Sequence, residues 1–429
     1  MEIVNVVLWI CGAVAAVASL YGLYFVFSSI PFTTLPASPE PSPNPIRRFA
    51  VLVFAKNEAK VIGELLTTLR AQAYPADAFD VYVVADNCTD DTAQVARDGG
   101  AIVWERSDTE HTGKGAVVRW FFDKFRLDGA DQYDACAMFD ADNIVDPQFL
   151  AVMNKQLNLG YDISIGLRLS KNASSSVVAG MSALFWLFQA RFFQAPRMRH
   201  KLPPTSVGGT GFVFDLAVLP DGYWPTKSHY EDIEFTLLSI AAGYSVSFTY
   251  DALFYDEQPL TWRQSNVQRY RWALDIIEML RYGTPFLWRS FRQRWRTSYD
   301  ALLYSIGGLM AAVGLIAGFL TSLLVAVTTG AWLSWAVSAV TGTAVSYVVI
   351  AAVAWATLTF ERRWWPGAGK AIAVYPVFVF TWSIICVIAL FYRNFTWVPI
   401  PHTQALTLAD MRPTTGPAAA GDGERVLGG

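Results

Sequence analysis

Ala135-Cys136-Ala137-Met138-Phe139-Asp140-Ala141-Asp142-Asn143 reads as a buried strand running straight into two carboxylates and an amide. Five apolar residues in a row suit a strand covered on both faces, as in a parallel sheet. The pattern occurs twice upstream: Ala50–Phe54 leads into Lys56-Asn57-Glu58, and Val81–Ala85 leads into Asp86-Asn87-Cys88-Thr89-Asp90-Asp91. Helical stretches separate these strands, namely Ala59–Gln72, Thr92–Arg97 and Ala116–Phe125. In the first of them Val61, Ile62, Leu65, Leu66 and Leu69 fall on one face. Ala101–Trp104, Asp162–Gly166 and Ser245–Tyr250 are further strands. Alternating β and α units predict an α/β, Rossmann-like domain with a mostly parallel sheet and helices on both faces. Ligands of such sheets bind beyond the carboxyl ends of the strands. Asp and Asn also cap helices, which is the plainer reading of any one polar cluster; it accounts poorly for three at one edge.

Around this domain the chain turns apolar. Hydrophobic residues make up 53% of the sequence and charged residues 16%, too apolar for an ordinary soluble enzyme and too polar for a bare membrane bundle. From Ile3 to Ser29 there is no charge, and about 20 apolar residues suffice to span a bilayer. A cleaved signal peptide would want a basic start, whereas only Glu2 precedes the run, so an uncleaved anchor is expected. The uncharged stretch from Ala301 to Phe360 would be about 90 Å as one helix, three bilayer cores deep, so it must fold back, with Thr328-Thr329-Gly330 as the turn. A third run, Ala371 to Tyr392, contains Pro376, tolerable if a neighbouring helix satisfies the freed carbonyl.

Lys and Arg orient these spans. Arg47 and Arg48, then Arg281, Arg289, Arg292, Arg294 and Arg296, then Arg362, Arg363 and Lys370 form three clusters that belong on the cytoplasmic side. The expected topology is multi-pass in the plasma membrane, with an outside N-terminus, residues 47–300 inside and an outside tail. The organisation expected is a transmembrane helix over 1–30, a linker over 31–46 with six prolines between Pro31 and Pro45, a catalytic domain over 47–260, interfacial helices over 261–300, membrane helices over 301–393 and a tail over 394–429. The net charge of −3 excludes nucleic acid as an obvious partner. The four cysteines form no CxxC pair and imply neither a disulfide framework nor a zinc site.

Several motifs suit phosphate and hydroxyl chemistry. Asp140 and Asp142, at i and i+2, would point the same way if both lay in the strand, and two carboxylates beside a substrate diphosphate suit Mg²⁺. In His111-Thr112-Gly113-Lys114-Gly115 the glycines let a backbone approach an anion and Lys114 adds a charge; the spacing is not that of a Walker A loop. Tyr230-Glu231-Asp232-Ile233-Glu234 opens an amphipathic helix with Ile233, Leu237 and Ile240 on its buried side. Acidic residues there are ordinary dipole partners or, alternatively, a general base. Gln268, Arg271 and Trp272 stand at i, i+3 and i+4 and share a helix face. That helix, Met181–Arg199 and Phe286–Arg296 also read as interfacial.

In order along the chain, Asp-Asn-x-Thr-Asp-Asp, Gly-Lys-Gly, Asp-x-Asp, Gly-Thr-Gly, Glu-Asp and Gln-x-x-Arg-Trp resemble the family 2 membrane glycosyltransferases, which include cellulose, hyaluronan and poly-N-acetylglucosamine synthases. The resemblance spans residues 47–300 and implies a GT-A-like catalytic domain using a nucleotide-sugar donor, a UDP-sugar. It implies that Glu58, Asp86 and Lys114 bind the nucleotide, that Asp140 binds the donor, and that Asp142 with Asp140 holds Mg²⁺ or Mn²⁺. Asp232, beside Glu231, would be the general base. Gly209, Thr210, Gly211 and Phe212 would line the acceptor site, and Gln268, Arg271 and Trp272 would hold the donor diphosphate and the acceptor end. Anomeric inversion would give a β-linkage from an α-linked donor. The usual Thr before Glu-Asp is Tyr230 here. Trp397-Val398-Pro399-Ile400-Pro401-His402 looks like the short Trp-to-His element late in several polysaccharide synthases; if it works beside the site, the tail is not outside and the last apolar run is re-entrant.

The leading expectation is a processive synthase building a β-linked polysaccharide coupled to export, with accessory export subunits not identifiable from the sequence. The alternative is transfer of a single sugar to a lipid, as in ceramide glucosyltransferases, which also carry Gln-x-x-Arg-Trp. The acceptor is thus a glycan or a lipid, at a lipid bilayer. A transporter or receptor that does no chemistry is disfavoured by spans without charge, and a dinucleotide-dependent dehydrogenase by the lack of GxGxxG after the first strand.

Overall fold

The computed structural model describes residues 2–28, 45–204, 206–228, 231–282, 284–392, 402 and 404–411. The expected linker up to Asn44, Tyr230, the Trp397–Pro401 stretch and the tail from Arg412 lie outside the described residues. A long apolar helix, α1 (Glu2–Ser28), comes first. Then β1 (Phe49–Ala55), α2 (Ile62–Arg70), β2 (Phe79–Asp86), α3 (Thr92–Asp98), β3 (Ile102–Arg106), α4 (Lys114–Phe125) and β4 (Ala135–Asp140) alternate as expected. The domain continues through β5 (Ile144–Val145), α5 (Phe149–Asn158), β6 (Ile163–Ser170), α6 (Val177–Phe188), α7 (Ala195–Arg199), β7 (Phe212–Asp215), α8 (Glu231–Ala242) and β8 (Val246–Asp256).

The eight strands form one sheet in the order β3-β2-β1-β4-β7-β6-β8-β5. Pairings β1/β2, β2/β3, β1/β4 and β6/β8 are parallel; β7 and the two-residue β5 pair antiparallel. The strands missed from the sequence are β5 and the four-residue β7, each too short to show a period. Strand alternation splits the core in two. Ala50, Leu52, Tyr82 and Met138 pack with Phe121, Phe122 and Phe125 of α4, while Val51, Val53, Val83 and Phe139 pack with Ile62, Leu65, Leu66 and Leu69 of α2. The chain steps outward from β1 through β2 to β3, then returns across β1 to β4. The ends of β1 and β4 therefore flank a topological switch point, where α/β sheets open a crevice.

After the domain come α9 (Trp262–Tyr282), α10 (Thr284–Ser290), α11 (Trp295–Ser305), α12 (Gly307–Thr329), α13 (Trp332–Glu361) and α14 (Ala368–Phe391). Four stretches are long and apolar enough to cross a membrane: Val6–Ser28, Leu309–Thr329, Trp332–Glu361 and Ala368–Phe391. As expected, α12 stops at Gly330, a left-handed residue (φ +68°). α13 returns to the domain, where Glu361 meets Arg191 at 2.5 Å. Pro376 sits inside α14, and the Tyr347 hydroxyl of α13 donates to the Ala373 carbonyl in the turn before it.

The helix α14 lies against the domain along much of its length. A Cβ on Gly180 of α6 would come within 2.9 Å of Ala371 Cβ. Arg269 of α9 donates to the Phe378 carbonyl (2.7 Å) and to Thr381 (3.0 Å), and Tyr270 donates to the carbonyl of Tyr392. Beyond it, His402 Nδ1 lies 2.9 Å from Glu58 Oε1 and Gln404 N donates to Glu257 at 3.4 Å. An outside tail is thus overturned: His402 stands at the carboxyl end of β1. The charge count passed over Arg393, a basic residue two positions beyond Phe391, which marks that end of α14 as lying on the side of the other Arg and Lys clusters.

Candidate active site

The parallel register puts Phe54 opposite Asp140 and Ala55 opposite Ala85, so Asp86 and Asp140 end the two strands flanking β1. Asp86 is buried and accepts from Arg106 Nη1 at 2.6 Å and from Asn87 at 3.0 Å. The remainder of its cluster is structural: Asp90 accepts from Thr92 N (3.1 Å) and Ala59 N (3.2 Å), tying the loop after β2 to the loop after β1. The capping reading holds for Asp90 and not for Asp86.

Lys114 links the acidic groups. It sits at the first turn of α4, between Gly113 (φ +95°) and Gly115. A Cβ on Gly115 would stand 3.0 Å from the Ser228 carbonyl and 3.4 Å from Glu231 Cβ, so glycine here lets the N-termini of α4 and α8 approach. Lys114 Nζ donates to Asp140 Oδ1 and to the Gly209 carbonyl at 2.6 Å. Burial would lower its pKa, but Asp140, Glu231 and Asp232 outweigh burial and hold it above the ordinary lysine value. Burial pushes Glu231 up to about 7, with Lys114 opposing and Asp232 reinforcing the rise. Burial likewise raises Asp232, against the Ile233 amide, Lys114 and Arg168. Glu234, two residues on, accepts from Lys227 N and Ser228 N at 2.9 and 2.7 Å and so fixes the entry to α8.

Asp142 differs from expectation. β4 ends at Asp140 and a turn follows, closed by Asn143 N to the Asp140 carbonyl at 3.1 Å, so strand alternation does not set the Asp142 direction. It is buried and accepts from Glu257 N at 3.0 Å. Burial would raise its pKa, but His402, Lys171 and the Glu257 amide pull it below the usual range. Glu58 is raised by burial, with His402 opposing. Burial, reinforced by Asp142, pushes Asp256 up to about 7. His402 would be lowered by burial, yet Asp142 and Glu58 raise it to about 10. Asp140 and Asp142 offer hard carboxylate oxygens of the kind Mg²⁺ or Mn²⁺ takes, while His402, protonated at that pKa, is a counter-charge rather than a ligand. Among the described residues no three His, Cys, Asp or Glu side chains gather closely enough to hold a metal ion by themselves.

Of the four residues expected at the acceptor, Gly209 lies beside Lys114 and Asp232. Gly209 gives its carbonyl to Lys114, and a Cβ there would stand 3.5 Å from Asp232 Oδ2. Thr210 is buried and accepts from Asp140 N at 2.9 Å, so it braces β4. Gly211 (φ +67°) leaves room for Phe254, whose ring a Cβ would meet at 2.0 Å. Phe212 faces the core against Phe214 and Phe235, so its expected place at the acceptor does not hold; it opens β7, a strand not expected from the sequence, whose pleat turns that ring inward.

On α9, Trp272 stacks on Phe185 (5.7 Å) and meets Trp186 edge-on (5.6 Å). Trp186 donates to Gln258 at 3.2 Å and lies under the Arg168 guanidinium at 4.1 Å. Arg168 in turn stands 3.5 Å from Asp256 and donates to the Gly208 carbonyl. Gln268 and Arg271 make no side-chain hydrogen bond among the described residues. Sequence reasoning missed Arg168, Lys171, Asp256 and Glu257; the last two follow β8 as Asp140 follows β4, a signal hidden because β8 runs six residues past its expected end.

Comparison with known proteins follows the same lines. The family model described as glycosyltransferase like family 2 matches residues 45–274. The chain is 26% identical over 236 residues to the probable glycosyltransferase YdaM of Bacillus subtilis, covering 53% of this chain and 54% of that protein. It thus spans about half the length of that relative. Protein RfbJ of Shigella flexneri is 37% identical over 92 residues, 20% of this chain and 67% of that protein. The mannosyltransferase PcManGT from Pyrobaculum calidifontis, solved in complex with GDP-Man and Mn²⁺, has a similar fold, with a TM-score of 0.59 at 17% identity over 91% of this chain and 100% of that chain.

Proposed function

The chain belongs to the family 2 glycosyltransferases, and from that premise we propose that it moves a sugar from a nucleoside-diphosphate donor, a UDP-sugar, to a hydroxyl of an acceptor held at a membrane surface. The observation that carries this reading is the meeting of Glu58, Asp86, Lys114, Asp140 and Asp232 along the edge at the β1/β4 switch point.

Glu58 and Asp86 hold the nucleoside, and Lys114 moves from Asp140 onto the donor diphosphate. Asp140 and Asp142 would hold Mg²⁺ or Mn²⁺, which neutralises charge on the leaving diphosphate. Asp232 takes the proton from the acceptor hydroxyl. The hydroxyl oxygen bonds to the anomeric carbon as the bond to the diphosphate breaks on the opposite face, inverting the centre. Gln268 and Arg271, free of side-chain partners among the described residues, face the diphosphate, and Trp272 stacks at the acceptor end.

We take the acceptor to be a lipid at the bilayer surface and keep an extruded β-linked polymer as the second reading; four helices of membrane length, with α1 packed on α12 and α13 on α14, are compatible with either. The exposed Arg289, Arg292, Arg294, Arg296 and Arg362 on the domain side, against an uncharged turn at Gly330, support a cytoplasmic domain.

The test is purified full-length protein in lipid nanodiscs, supplied with a panel of UDP-sugars and GDP-mannose, Mg²⁺ or Mn²⁺ and extracted lipids, with the product sized. A single glycolipid supports the reading, a long polymer restores the processive one, and no transfer from any donor overturns both. Asp232→Asn should lose about 10²- to 10⁴-fold in rate while nucleotide binding persists; wild-type turnover would remove Asp232 as the base.

A further inference from the structure

A second site lies away from these carboxylates. A cavity of ≈530 Å³ opens at the start of β8 and is lined by Tyr161, Lys201, Tyr244, Arg294, Trp295 and Arg296, among others. β8 is eleven residues long and ends at Asp256. At about 3.3 Å per residue the cavity is roughly 33 Å from the catalytic edge.

No Asp or Glu is among the lining residues. The nearest acidic neighbour in sequence, Asp162, is spent on Ser245, accepting from its amide (2.6 Å) and its hydroxyl (2.8 Å). Lys201, Arg294 and Arg296 form no ion pair among the described residues. Among the described residues Arg294 donates to the Ala241 carbonyl alone, at 3.4 Å, and Arg296 to the His200 carbonyl alone, at 3.3 Å. The first turn of α11 adds the positive end of its dipole. Three uncompensated cations around one cavity repel each other until an anion enters.

The cavity also lies close to the domain-side end of the first candidate span. Met198 lines it, and the preceding Arg197 pairs with Asp300 at 3.1 Å and lies 5.4 Å over Phe25 of α1. Tyr24 of α1 donates to Asp300 at 2.6 Å, and its ring meets Tyr299 at 6.0 Å. These residues stand in the last turn of the first span, Val6–Ser28. One helical turn before Tyr299 is Trp295, 60% exposed, with Trp288, 71% exposed, nearby in sequence. Exposed tryptophans beside arginines mark the headgroup layer.

We propose that this cavity binds the phosphate of an anionic phospholipid headgroup from the leaflet that meets the domain. The phosphodiester enters among Lys201, Arg294 and Arg296 while its acyl chains run alongside α1 and Trp295. This fixes how the domain lies on the bilayer, and it requires neither donor nor acceptor.

The experiment titrates the full chain in a neutral detergent with dioctanoyl phosphatidylglycerol, using dioctanoyl phosphatidylcholine, inorganic phosphate and glycerol phosphate as comparison arms. Phosphatidylglycerol should bind, and each of Lys201→Gln, Arg294→Gln and Arg296→Gln should weaken it about fivefold, with the triple change near 100-fold. Arg294 packs over Gly243, so if its variants do not fold, the Lys201→Gln/Arg296→Gln pair, both exposed, carries the test at about 25-fold. Equal binding of phosphatidylcholine, displacement by millimolar inorganic phosphate, or unchanged affinity in the folded variants would each overturn the proposal. Asp232→Asn should leave the affinity unchanged, so failure of the transfer reading and failure of this one are seen separately.

Discussion

Replacing Lys114 by Met removes the cation that Asp140, Glu231 and Asp232 share. Its consequences divide into two parts that depend differently on pH. An opposite charge within hydrogen-bonding range lowers a carboxyl pKa by about one to three units. Lys114 is the opposing charge on Glu231, which burial nonetheless holds at about 7. Without it the Glu231–Asp232 pair rises. Glu231, moved from about 7 to about 8, falls at pH 7 from half ionised to about a tenth, a loss of about fivefold in its ionised form, and Asp232 shifts in the same direction. Since the base must be ionised, raising its pKa moves the acid limb of kcat/KM to higher pH, and the loss is recovered as the pH rises. The lost contact to the donor diphosphate, about 1.5–3 kcal/mol for a charged hydrogen bond, is not recovered at any pH. The assay is kcat/KM for sugar transfer between pH 5.5 and 9.5 for both proteins. Profiles that run parallel at every pH would refute the idea that Lys114 governs the protonation of the pair.

Phe212→Ala should cost about 3–5 kcal/mol of stability, read as a lower thermal midpoint, with the acceptor KM unchanged; a raised KM with intact stability would return Phe212 to the acceptor site. Arg197→Met leaves Asp300 buried without its cation and should cost about 3–5 kcal/mol, while Arg197→Met/Asp300→Leu should regain most of it; equal losses in both would show that the pair does not hold α1 to the domain. In a background without the native cysteines, Ala409→Cys should be labelled by an impermeant maleimide only from the cytoplasmic side and Gly330→Cys only from the other; labelling of both from one side would break the topology.

Much of the domain was legible because its signals are local. Runs such as Ala135–Phe139 are apolar on both faces, and their lengths and spacing exclude a helix. The sequence alone puts Glu58, Asp86 and Asp140 together, since parallel strands bring their carboxyl ends to one edge. What stayed hidden depends on partners far away in sequence. Nothing near Thr210 says that its hydroxyl will hold the end of β4, and nothing near Phe254 says that its ring will occupy the space a side chain at Gly211 would need. Those are packing facts between strands that meet only in the folded sheet. The Asp142 direction is of the same kind, set by the Glu257 amide at the far end of β8.

The misreading of the tail has a different cause, and it bears on how the site works. Hydropathy measures how little a helix wants water, and α14 satisfies it in two ways. A third of its most apolar window, 33%, is buried inside the chain, against 0% for α1 and α13. Small residues permit this: Ala371 meets Gly180 of α6, and Ala389 and Cys386 cluster with Ala273 of α9. A helix clasped by two domain helices carries the chain to Tyr392, which is bonded to Tyr270, between Gln268 and Trp272. The next described residue, His402, rests on Glu58. The apolar run therefore serves the catalytic edge as much as the bilayer: it fixes where α9 presents Gln268 and Arg271, and it delivers a cation to the carboxylates at the switch point. Weakening the α14–α9 contacts should therefore disturb donor binding even though α14 itself holds no group that touches a nucleotide.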